Sequence, residues 1–221
     1  MAKVFESITQ HHREWIARQA MFFVGTAPLA EDGHVNVSPK GPIGSFAVLD
    51  DHTVAYLDVN GSGIETIGHV RENGRIVIMF CAFAGPPRIL RLHGRGEVVF
   101  PEDERFAALE AALENLSIPA AQRAVVLVRV TRIADSCGYG VPLMTFEGMR
   151  PHHALSAAKK VQVEGRDGYR ANRRGKTTID GLPAAARDPL PAAGTNGSAR
   201  THHRPTGPGA APAEATPPAR G

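Results

Sequence analysis

The stretch NGSGIETIGHVRENGR, at residues 60–75, has the glycine content of a loop that opens a helix. Exposed backbone N–H groups and the positive end of the helix dipole make such an N-terminus attractive to phosphate and other anions. A strand-like run, a turn and then a helix is also the usual order of elements at an anion site. The stretch has neither the Gly-Lys-Ser/Thr of a Walker motif nor GxGxxG spacing. Taken alone, it is better explained as a well-capped surface helix.

Capping signals set the limits of this helix. Ser62 and Glu65 have the spacing of a capping box, in which each side chain bonds to the backbone N–H of the other residue. Gly74 stands where a helix-ending residue with positive φ is expected, so the sequence predicts a helix over residues 63–73. Its apolar face consists of Ile64, Ile67 and Val70. His69, on the same helix, could face the site, but it is better interpreted as a surface residue.

Two other polar segments could serve an anion. In VNVSPKG, at residues 35–41, a hydroxyl, a rigid turn and a cation follow a strand, so Ser38 and Lys40 suit a phosphate or the polar edge of a ring. In PPRILRL, Arg88 and Arg91 fall on opposite faces of a strand because side chains alternate. One of the two arginines should therefore face inward, and a buried arginine is unfavourable unless it meets an anion.

Short strand-like runs with tight turns between them make up most of the chain from residue 21 to residue 133. The seven runs are MFFVGTAP, HVNVSPKG, SFAVLD, TVAYLDV, RIVIMFCAF, PRILRLHGRGEVVF and AVVLVRVTRI. Other helical patterns cover about 102–116 and, weakly, 151–172. A Rossmann sheet would need a helix after nearly every strand, so these runs favour a largely antiparallel small barrel. The predicted class is therefore mainly β (α+β), with a few peripheral helices.

The N-terminal segment predicts a short helix. Ser7 and Gln10 fit a capping box at its start. The apolar positions that follow at helical spacing are Ile8, Trp15 and Ile16. His11 and His12 are adjacent, so they cannot form an i, i+4 metal pair, and both are interpreted as surface residues.

Composition argues against several classes of protein. A net charge of +3 over 221 residues gives no case for nucleic-acid binding, and no apolar run approaches the roughly 18 residues of a membrane span. The start of the chain lacks the apolar region of a signal peptide, and two cysteines suit free thiols in a reducing cytoplasm. Residues 183–221 contain 24 Pro, Ala or Gly, so we expect this segment to be a disordered tail. Residues 1–182 are then one domain, which includes a helical extension at its C-terminal end.

The order of these segments resembles the pyridoxamine 5'-phosphate oxidase-like flavoproteins, which have the FMN-binding split-barrel fold. The resemblance rests on VNVSPKG, AYLDV, GSGIETIGHVRENGR and the pair IVIMFCAF and PPRILRLHGRGEV, and it covers about residues 5–140. It implies a homodimer of six-stranded split barrels, with FMN in a groove at the dimer interface. The later YRANRRGKTTIDGLP is similar to a segment found in a subset of such proteins.

The resemblance also implies which residues contact the cofactor. The predicted cofactor-binding residues are Ser38, Pro39, Lys40, Tyr56, Leu57, Ser62, Thr66, Arg88 and Tyr139. The first three match the strand that lines the isoalloxazine, and Tyr56 and Leu57 match the following strand. Thr66 matches a phosphate-contacting position, and Arg88 is close to a further flavin-contacting one. Tyr139, between two glycines, could cover the flavin of a partner subunit or pack on the barrel rim.

The chain departs from this family at the start of the helix. Glu65 and Thr66 stand where the authentic oxidases carry an Arg-Lys pair. A carboxylate repels phosphate, so the positive charge must come from elsewhere, and Lys40 and Arg88 are the candidates. A Glu65 side chain that turns back to its own backbone would reduce the conflict. The C-terminal substrate-binding segment of the oxidases is not recognisable, so pyridoxal phosphate synthesis is not predicted.

The predicted function is that of an FMN-dependent oxidoreductase acting on an unidentified small molecule. Lys40 would donate to the N1–C2=O edge of the flavin, and the sequence assigns no catalytic acid or base and no metal ligands. Three alternatives remain open at this point. The same fold could bind a deazaflavin coenzyme or haem instead of FMN, or the protein could be a non-catalytic flavin carrier. It could also be a basic interaction protein that uses the tail.

Overall fold

The computed structural model of the protein describes residues 3–41, 43–61, 63–113, 122–171 and 177–184. All of them belong to one compact unit that ends at residue 191. The predicted cofactor contact Ser62 lies outside the described residues, as does almost all of the predicted tail. None of the helices in the described part of the chain combines the length and the apolar surface that a bilayer crossing requires.

Eight strands and four helices make up the described part of the chain. In chain order they are β1 (Lys3–Phe5), α1 (Gln10–Ala17), β2 (Phe22–Thr26), β3 (Asn36–Lys40), β4 (Phe46–Val48), β5 (Thr53–Val59), α2 (Glu65–Asn73), β6 (Arg75–Cys81), β7 (Ile89–Val99), α3 (Phe106–Ala111), β8 (Gln122–Ser136) and α4 (His152–Ala171). Within α4, Gly165 has φ 71° and ψ 165°, which breaks the helix into two pieces.

One antiparallel sheet contains all the described strands. Its order is β3-β2-β6-β7-β8-β5-β4, and β1 pairs with β8 beside this path. The sheet curls into a half-barrel with the helices at its periphery, which confirms the predicted fold class. All seven predicted strands are present. The eighth strand, β1, was not predicted. Its three residues are held by pairing with residues 133–135, and no local sequence pattern indicates that contact.

The strand β5 separates two apolar layers. Five consecutive residues of this strand are buried, because it has a core on each face. Tyr56 points into the larger core with Phe22 and Phe80, and Leu57 points into a smaller one with Val99 and Phe106. A continuously apolar run with no polar alternation is the sequence signature of such a strand.

A bulge bends the longest strand pair. The register between β7 and β8 shifts between His93 and Gly94. A Cβ added at Gly94 would lie 2.2 Å from the backbone oxygen of Arg129, so only glycine lets the two strands approach this closely.

The N-cap of the first helix lies two residues later than predicted. Thr9, not Ser7, is the N-cap, and it shares a capping box with His12. The Thr9 backbone N–H donates to His12 Nδ1 at 3.1 Å, and the side chain of His12 is fully buried against Phe5. The surface assignment of His12 is therefore wrong, because this imidazole completes the helix cap.

The third helix is shorter than predicted at its N-terminal end. It begins at Phe106 because residues 101–105 form turns. There the Asp103 carboxylate accepts the Arg105 backbone N–H at 2.9 Å, a local bond that competes with helix formation. The helix also ends earlier than the predicted residue 116, because its last residue is Ala111 and its C-cap is Ala112.

Residues 177–184 form a short C-terminal strap on α2. Thr178 donates its backbone N–H to the Leu182 carbonyl at 2.9 Å, which closes the strap into a turn. Arg71 of α2 donates to the Pro183 carbonyl at 3.1 Å, and Ala184 is buried in the larger core. Pro183 and Ala184, the first two residues of the predicted tail, thus pack on the domain.

Candidate functional site

A cavity of about 310 Å³ lies between the end of β3, the end of β5, the glycine loop before α2 and the start of β8. Four of the predicted cofactor-binding residues line it, namely Ser38, Pro39, Lys40 and Thr66. Glu65 and Arg123 complete its polar wall. The fold thus brings the VNVSPKG segment and the glycine loop to the same cavity, although they lie on different elements.

A buried carboxylate stands behind this wall. The side chain of Asp58, on β5, is 0% exposed and bonds to two cations. Lys40 Nζ lies 2.8 Å from one carboxylate oxygen, and Arg123 Nε lies 2.6 Å from the other. Burial alone would raise the pKa of Asp58, but Arg123 and Lys40 outweigh it and hold this pKa below its usual value. Asp58 is therefore an ionised carboxylate held between two basic side chains.

Arg123 also fixes the glycine loop. Its Nη1 and Nη2 atoms both donate to the Gly63 carbonyl at 3.1 Å, while its other contacts go to Asp58. Most of its five N–H groups are therefore already used within the protein. Lys40 differs, because one bond to Asp58 leaves two of its three N–H donors without an acceptor among the described residues. Lys40 is thus the cation that can bind a ligand, and Arg123 holds the loop in place.

Sequence reasoning missed Asp58 and Arg123, although one signal was present. Asp58 interrupts the otherwise apolar strand TVAYLDV, and a charged residue in a buried strand needs a partner. Which cations supply it could not be read, because Lys40 and Arg123 lie 18 and 65 residues away along the chain.

Glu65 turns back on its own backbone, as the capping argument expected, but with a different partner. Its Oε2 accepts the Ile64 backbone N–H at 2.9 Å. A Cβ added at Gly63 would lie 2.8 Å from the same oxygen, so the glycine leaves room for the carboxylate. The helix begins at Glu65 rather than at Gly63. At its other end Gly74 has φ 68° and accommodates the left-handed C-cap as predicted.

A chain of hydrogen bonds leads from the cavity into the interior. Asn36 Nδ2 donates to the hydroxyls of Thr66, at 3.0 Å, and Thr26, at 3.1 Å. The Ser38 hydroxyl donates to Asn36 Oδ1 at 2.9 Å. Thr26 Oγ1 in turn lies 3.1 Å from Nδ1 of His69. The surface assignment of His69 is therefore wrong, since this side chain is fully buried at the inner end of the chain.

His69 is neutral in this setting. Burial lowers the pKa of its imidazole, and the more distant carboxylates of Asp180, Glu72 and Glu65 only partly oppose the effect. Its Nε2 atom is buried without a hydrogen-bond partner among the described residues.

The other predicted contact residues lie away from the cavity wall. Tyr56 and Leu57 are buried in the two cores, so their side chains do not line the cavity. Arg88 is the inward arginine, and the anion that it meets is internal. Its guanidinium lies 2.6 Å from an Asp135 oxygen and stacks on the ring of Trp15. These positions remain predictions as far as a cofactor is concerned.

Tyr139 begins an exposed apolar segment. Its side chain is 83% exposed. The other exposed apolar side chains of the segment are Leu143, Met144, Phe146 and Met149. A Cβ added at Gly41 would lie 3.6 Å from Met149 Cε, so the segment passes beside the strand end that lines the cavity.

The residues that form the cavity fall within a recognisable family segment. Residues 8–137 match the family model described as pyridoxamine 5'-phosphate oxidase. A relative from Aspergillus flavus, the pyridoxamine 5'-phosphate oxidase family protein ustO, is 47% identical over 141 residues. That match covers 63% of this chain but only 56% of the relative, so the chain spans little more than half of the relative's length.

Two solved structures give a weaker similarity. HupZ of group A Streptococcus is 26% identical, with a TM-score of 0.44 over 57% of this chain and 91% of that one. An FMN-binding protein from Syntrophomonas wolfei is 16% identical, with a TM-score of 0.43 over 59% of this chain and 82% of that one.

Proposed function

Because the chain belongs to the pyridoxamine 5'-phosphate oxidase family, we propose that it is an FMN-dependent oxidoreductase whose cavity beside α2 receives the FMN phosphate. One observation carries the proposal. Ser38, Lys40 and Thr66, which the family resemblance assigns to the cofactor, come from two different elements and line a single cavity. The substrate is an unidentified small molecule.

The donors of the cavity fit a phosphate group. Lys40 offers two free N–H groups, and Thr66 offers a hydroxyl whose hydrogen has no acceptor among the described residues. Backbone N–H groups at the start of α2 add to them. The volume of about 310 Å³ suits the phosphate and part of the ribityl chain rather than a whole flavin. The isoalloxazine ring would then extend along β3, past Pro39 and Ser38.

Formal charges in and behind the cavity sum to zero. Lys40 and Arg123 contribute two positive charges, and Asp58 and Glu65 contribute two negative ones. Directed hydrogen bonds, rather than net charge, must therefore provide most of the affinity for an anion. We expect FMN binding to depend less on salt concentration than at a site lined only by cations.

Bound FMN would supply hydride transfer, and the protein would supply orientation and electrostatics. Lys40 is held at 2.8 Å by Asp58, so its ammonium group keeps a fixed direction toward the cavity. Arg123 keeps the glycine loop in position through the Gly63 carbonyl. The site residues thus bind and orient the cofactor, and none of them is assigned a proton-transfer step.

The absorption spectrum of the purified protein, with mass identification of any released cofactor, tests the proposal. A flavin spectrum that reduced nicotinamide bleaches, and that an acceptor restores, would support an FMN oxidoreductase. A flavin that is never reduced would instead favour a carrier, a Soret band would favour haem, and released deazaflavin would replace FMN as the cofactor. A protein that takes up none of these would overturn the proposal.

Lys40→Ala should weaken FMN binding about 10-fold to 100-fold, because one to two hydrogen bonds to a charged phosphate are lost. The barrel should lose some stability, because Asp58 loses one of its two cations, but it should remain folded, since Asp58 keeps its contacts with Arg123. Lys159→Ala removes an exposed lysine from α4 and serves as the control. Fluorescence titration of both variants with FMN measures the difference. Equal affinities in Lys40→Ala and the unsubstituted protein would remove Lys40 from the site.

We also infer that two copies of the chain associate through the apolar segment of residues 139–149. Five large apolar side chains exposed within one short segment suit a protein interface better than solvent. Sedimentation should give twice the chain mass of 23.6 kDa. Phe146→Glu should shift the protein toward monomer. Lys159→Glu, which changes an exposed residue outside the segment, is the control and should not. A monomer at micromolar concentration would contradict the inference.

A further inference from the structure

The hydrogen bonds of Asn36 have a direction, which can be derived from its amide group. The Nδ2 atom carries two hydrogens, and the two hydroxyl oxygens within reach are those of Thr66 and Thr26. Both hydroxyls therefore accept a hydrogen bond from Asn36. Its remaining polar atom, Oδ1, accepts the hydrogen of Ser38. Asn36 thus uses its full donor capacity within the protein.

Each hydroxyl then has its own hydrogen to place. The Thr26 hydroxyl oxygen lies 3.1 Å from the ring nitrogen Nδ1 of His69, within hydrogen-bond distance. This bond fixes the inner end of the chain. Thr66 has no such acceptor among the described residues, and it lines the cavity. Its hydrogen is therefore available to a ligand in the cavity.

We propose that Asn36 is a positioning residue that keeps the Thr66 hydroxyl as a hydrogen-bond donor toward the cavity, so that the site selects ligands carrying a terminal phosphate there. A hydroxyl that is free to rotate can either donate or accept, and it discriminates weakly between a phosphate oxygen and an alcohol. Asn36 occupies one of the two lone pairs of the Thr66 oxygen, so the hydroxyl favours a ligand oxygen that accepts its unpaired O–H. The inference rests on the proposed function and adds a preference for FMN over riboflavin, which lacks the phosphate.

Neither residue is unusual on its own. Thr66 is 4% exposed and Asn36 is half-buried, so each could be explained as a satisfied polar group near the surface of the core. Their joint arrangement is what points to a ligand, because the hydrogen bonds that join Ser38, Asn36 and Thr66 leave the Thr66 O–H beside the cavity with no acceptor among the described residues.

A double-mutant cycle tests the inference. Thr66→Val removes the hydroxyl at nearly constant shape, and Asn36→Ala removes the amide. FMN, riboflavin and inorganic phosphate are titrated into the unsubstituted protein, the two single variants and the double variant. Thr66→Val should weaken FMN binding about tenfold, the effect of one hydrogen bond to a charged group, and leave riboflavin binding unchanged. Asn36→Ala should lower the preference for FMN in the same direction.

The coupling between the two substitutions is the decisive quantity. In the Thr66→Val background, Asn36→Ala should have no further effect on the ratio of FMN to riboflavin affinity, because Asn36 acts through Thr66. Val37→Ala, an exposed neighbour whose side chain lies on the opposite face of β3, is the control. If Asn36→Ala does not fold, Asn36→Asp keeps the shape and would turn the Thr66 hydrogen away from the cavity. The effect of Asn36→Asp on the affinity ratio, measured in the unsubstituted protein and in Thr66→Val, then takes the place of the effect of Asn36→Ala.

The outcomes separate this inference from the proposed function. If the protein binds FMN but the two substitutions act independently on the ratio of FMN to riboflavin affinity, or do not change it, the role of Asn36 is overturned. The proposed function is then unaffected. Inorganic phosphate binding with the expected coupling, but no FMN binding, would support the role of Asn36 and contradict the proposed function. Failure of the unsubstituted protein to bind either compound would overturn both.

Discussion

Replacing Arg123 by methionine is expected to lower the free energy of unfolding by about 3–5 kcal/mol. Asp58 would remain fully buried with a single cationic partner, Lys40, and the loop carbonyl of Gly63 would lose its donor. The loss of one member of a buried ion cluster is costly, because the remaining charge stays out of water without full compensation. Urea denaturation of both proteins at neutral pH measures the difference.

The source of this effect can be isolated. Arg129→Met changes an exposed arginine on the same strand, β8, and should alter the free energy of unfolding by less than about 0.5 kcal/mol. Adding Asp58→Asn to Arg123→Met should recover part of the lost stability, since the uncompensated charge is then absent. If the double variant is no more stable than Arg123→Met alone, the charge of Asp58 is not the cause.

Acidification below about pH 6.5 should destabilise the protein, and two buried histidines contribute to this effect. Burial lowers the pKa of both His12 and His69 from the usual value of 6.5. The unfolded chain therefore binds protons that the folded chain excludes, so this stability is fully present above the unfolded pKa of 6.5 and is lost as the pH falls below it. For each histidine, the free energy of unfolding falls by up to about 1.4 kcal/mol per pH unit, and this loss stops below the pKa of the folded state.

The charged neighbours of the two imidazoles modulate this effect. Around His12, Arg88, His11 and Lys3 lower the pKa further and Asp135 raises it. Around His69, the carboxylates of Asp180, Glu72 and Glu65 all raise the pKa. Carboxylates with lowered pKa values, such as Asp58, lose their contribution only below about pH 4, so the two pH windows are distinct.

Variants assign the slope to individual residues. His69→Gln should remove the contribution of His69 to the pH dependence below pH 6.5, and His152→Gln, at an exposed position on α4, should leave it unchanged. Chemical denaturation at several pH values gives the required free energies. A flat profile in this range for the unsubstituted protein would mean that neither histidine is kept neutral by folding.

Local signals were sufficient for much of the fold. The run TVAYLDV coincides with β5, and Gly74 ends α2 where the capping argument placed it. Both are strong patterns that depend on only a few adjacent residues. By contrast, β1 depends on a partner strand more than a hundred residues away, and three residues alone give no usable period.

The two histidine errors have different causes. His12 lies four residues after Ile8 and four before Ile16, so the helical period already placed it on the apolar face. Its polar character was given too much weight. For His69 no such signal existed, because α2 is covered on a second side by the strap, and Gly68 lies directly beneath Thr178. That cover comes from residues 177–184, far along the chain.

The candidate site was predictable in its parts but not in its connections. Ser38, Lys40 and Thr66 could be named because they match a family pattern, and they line one cavity. Their supports, Asp58, Arg123 and Asn36, sit on other strands or act by bonds across the sheet. Such contacts depend on strand register and curvature, which a single sequence does not specify.

The buried position of Ala184 sets a practical limit for engineering shorter versions of this protein. A fragment ending at residue 182 would lack both the carbonyl that receives Arg71 and the methyl group that fills the adjoining space in the core. A fragment ending at residue 184 retains both. Expression plasmids intended for crystallisation or for fusion partners should therefore place the stop codon or the linker after Ala184.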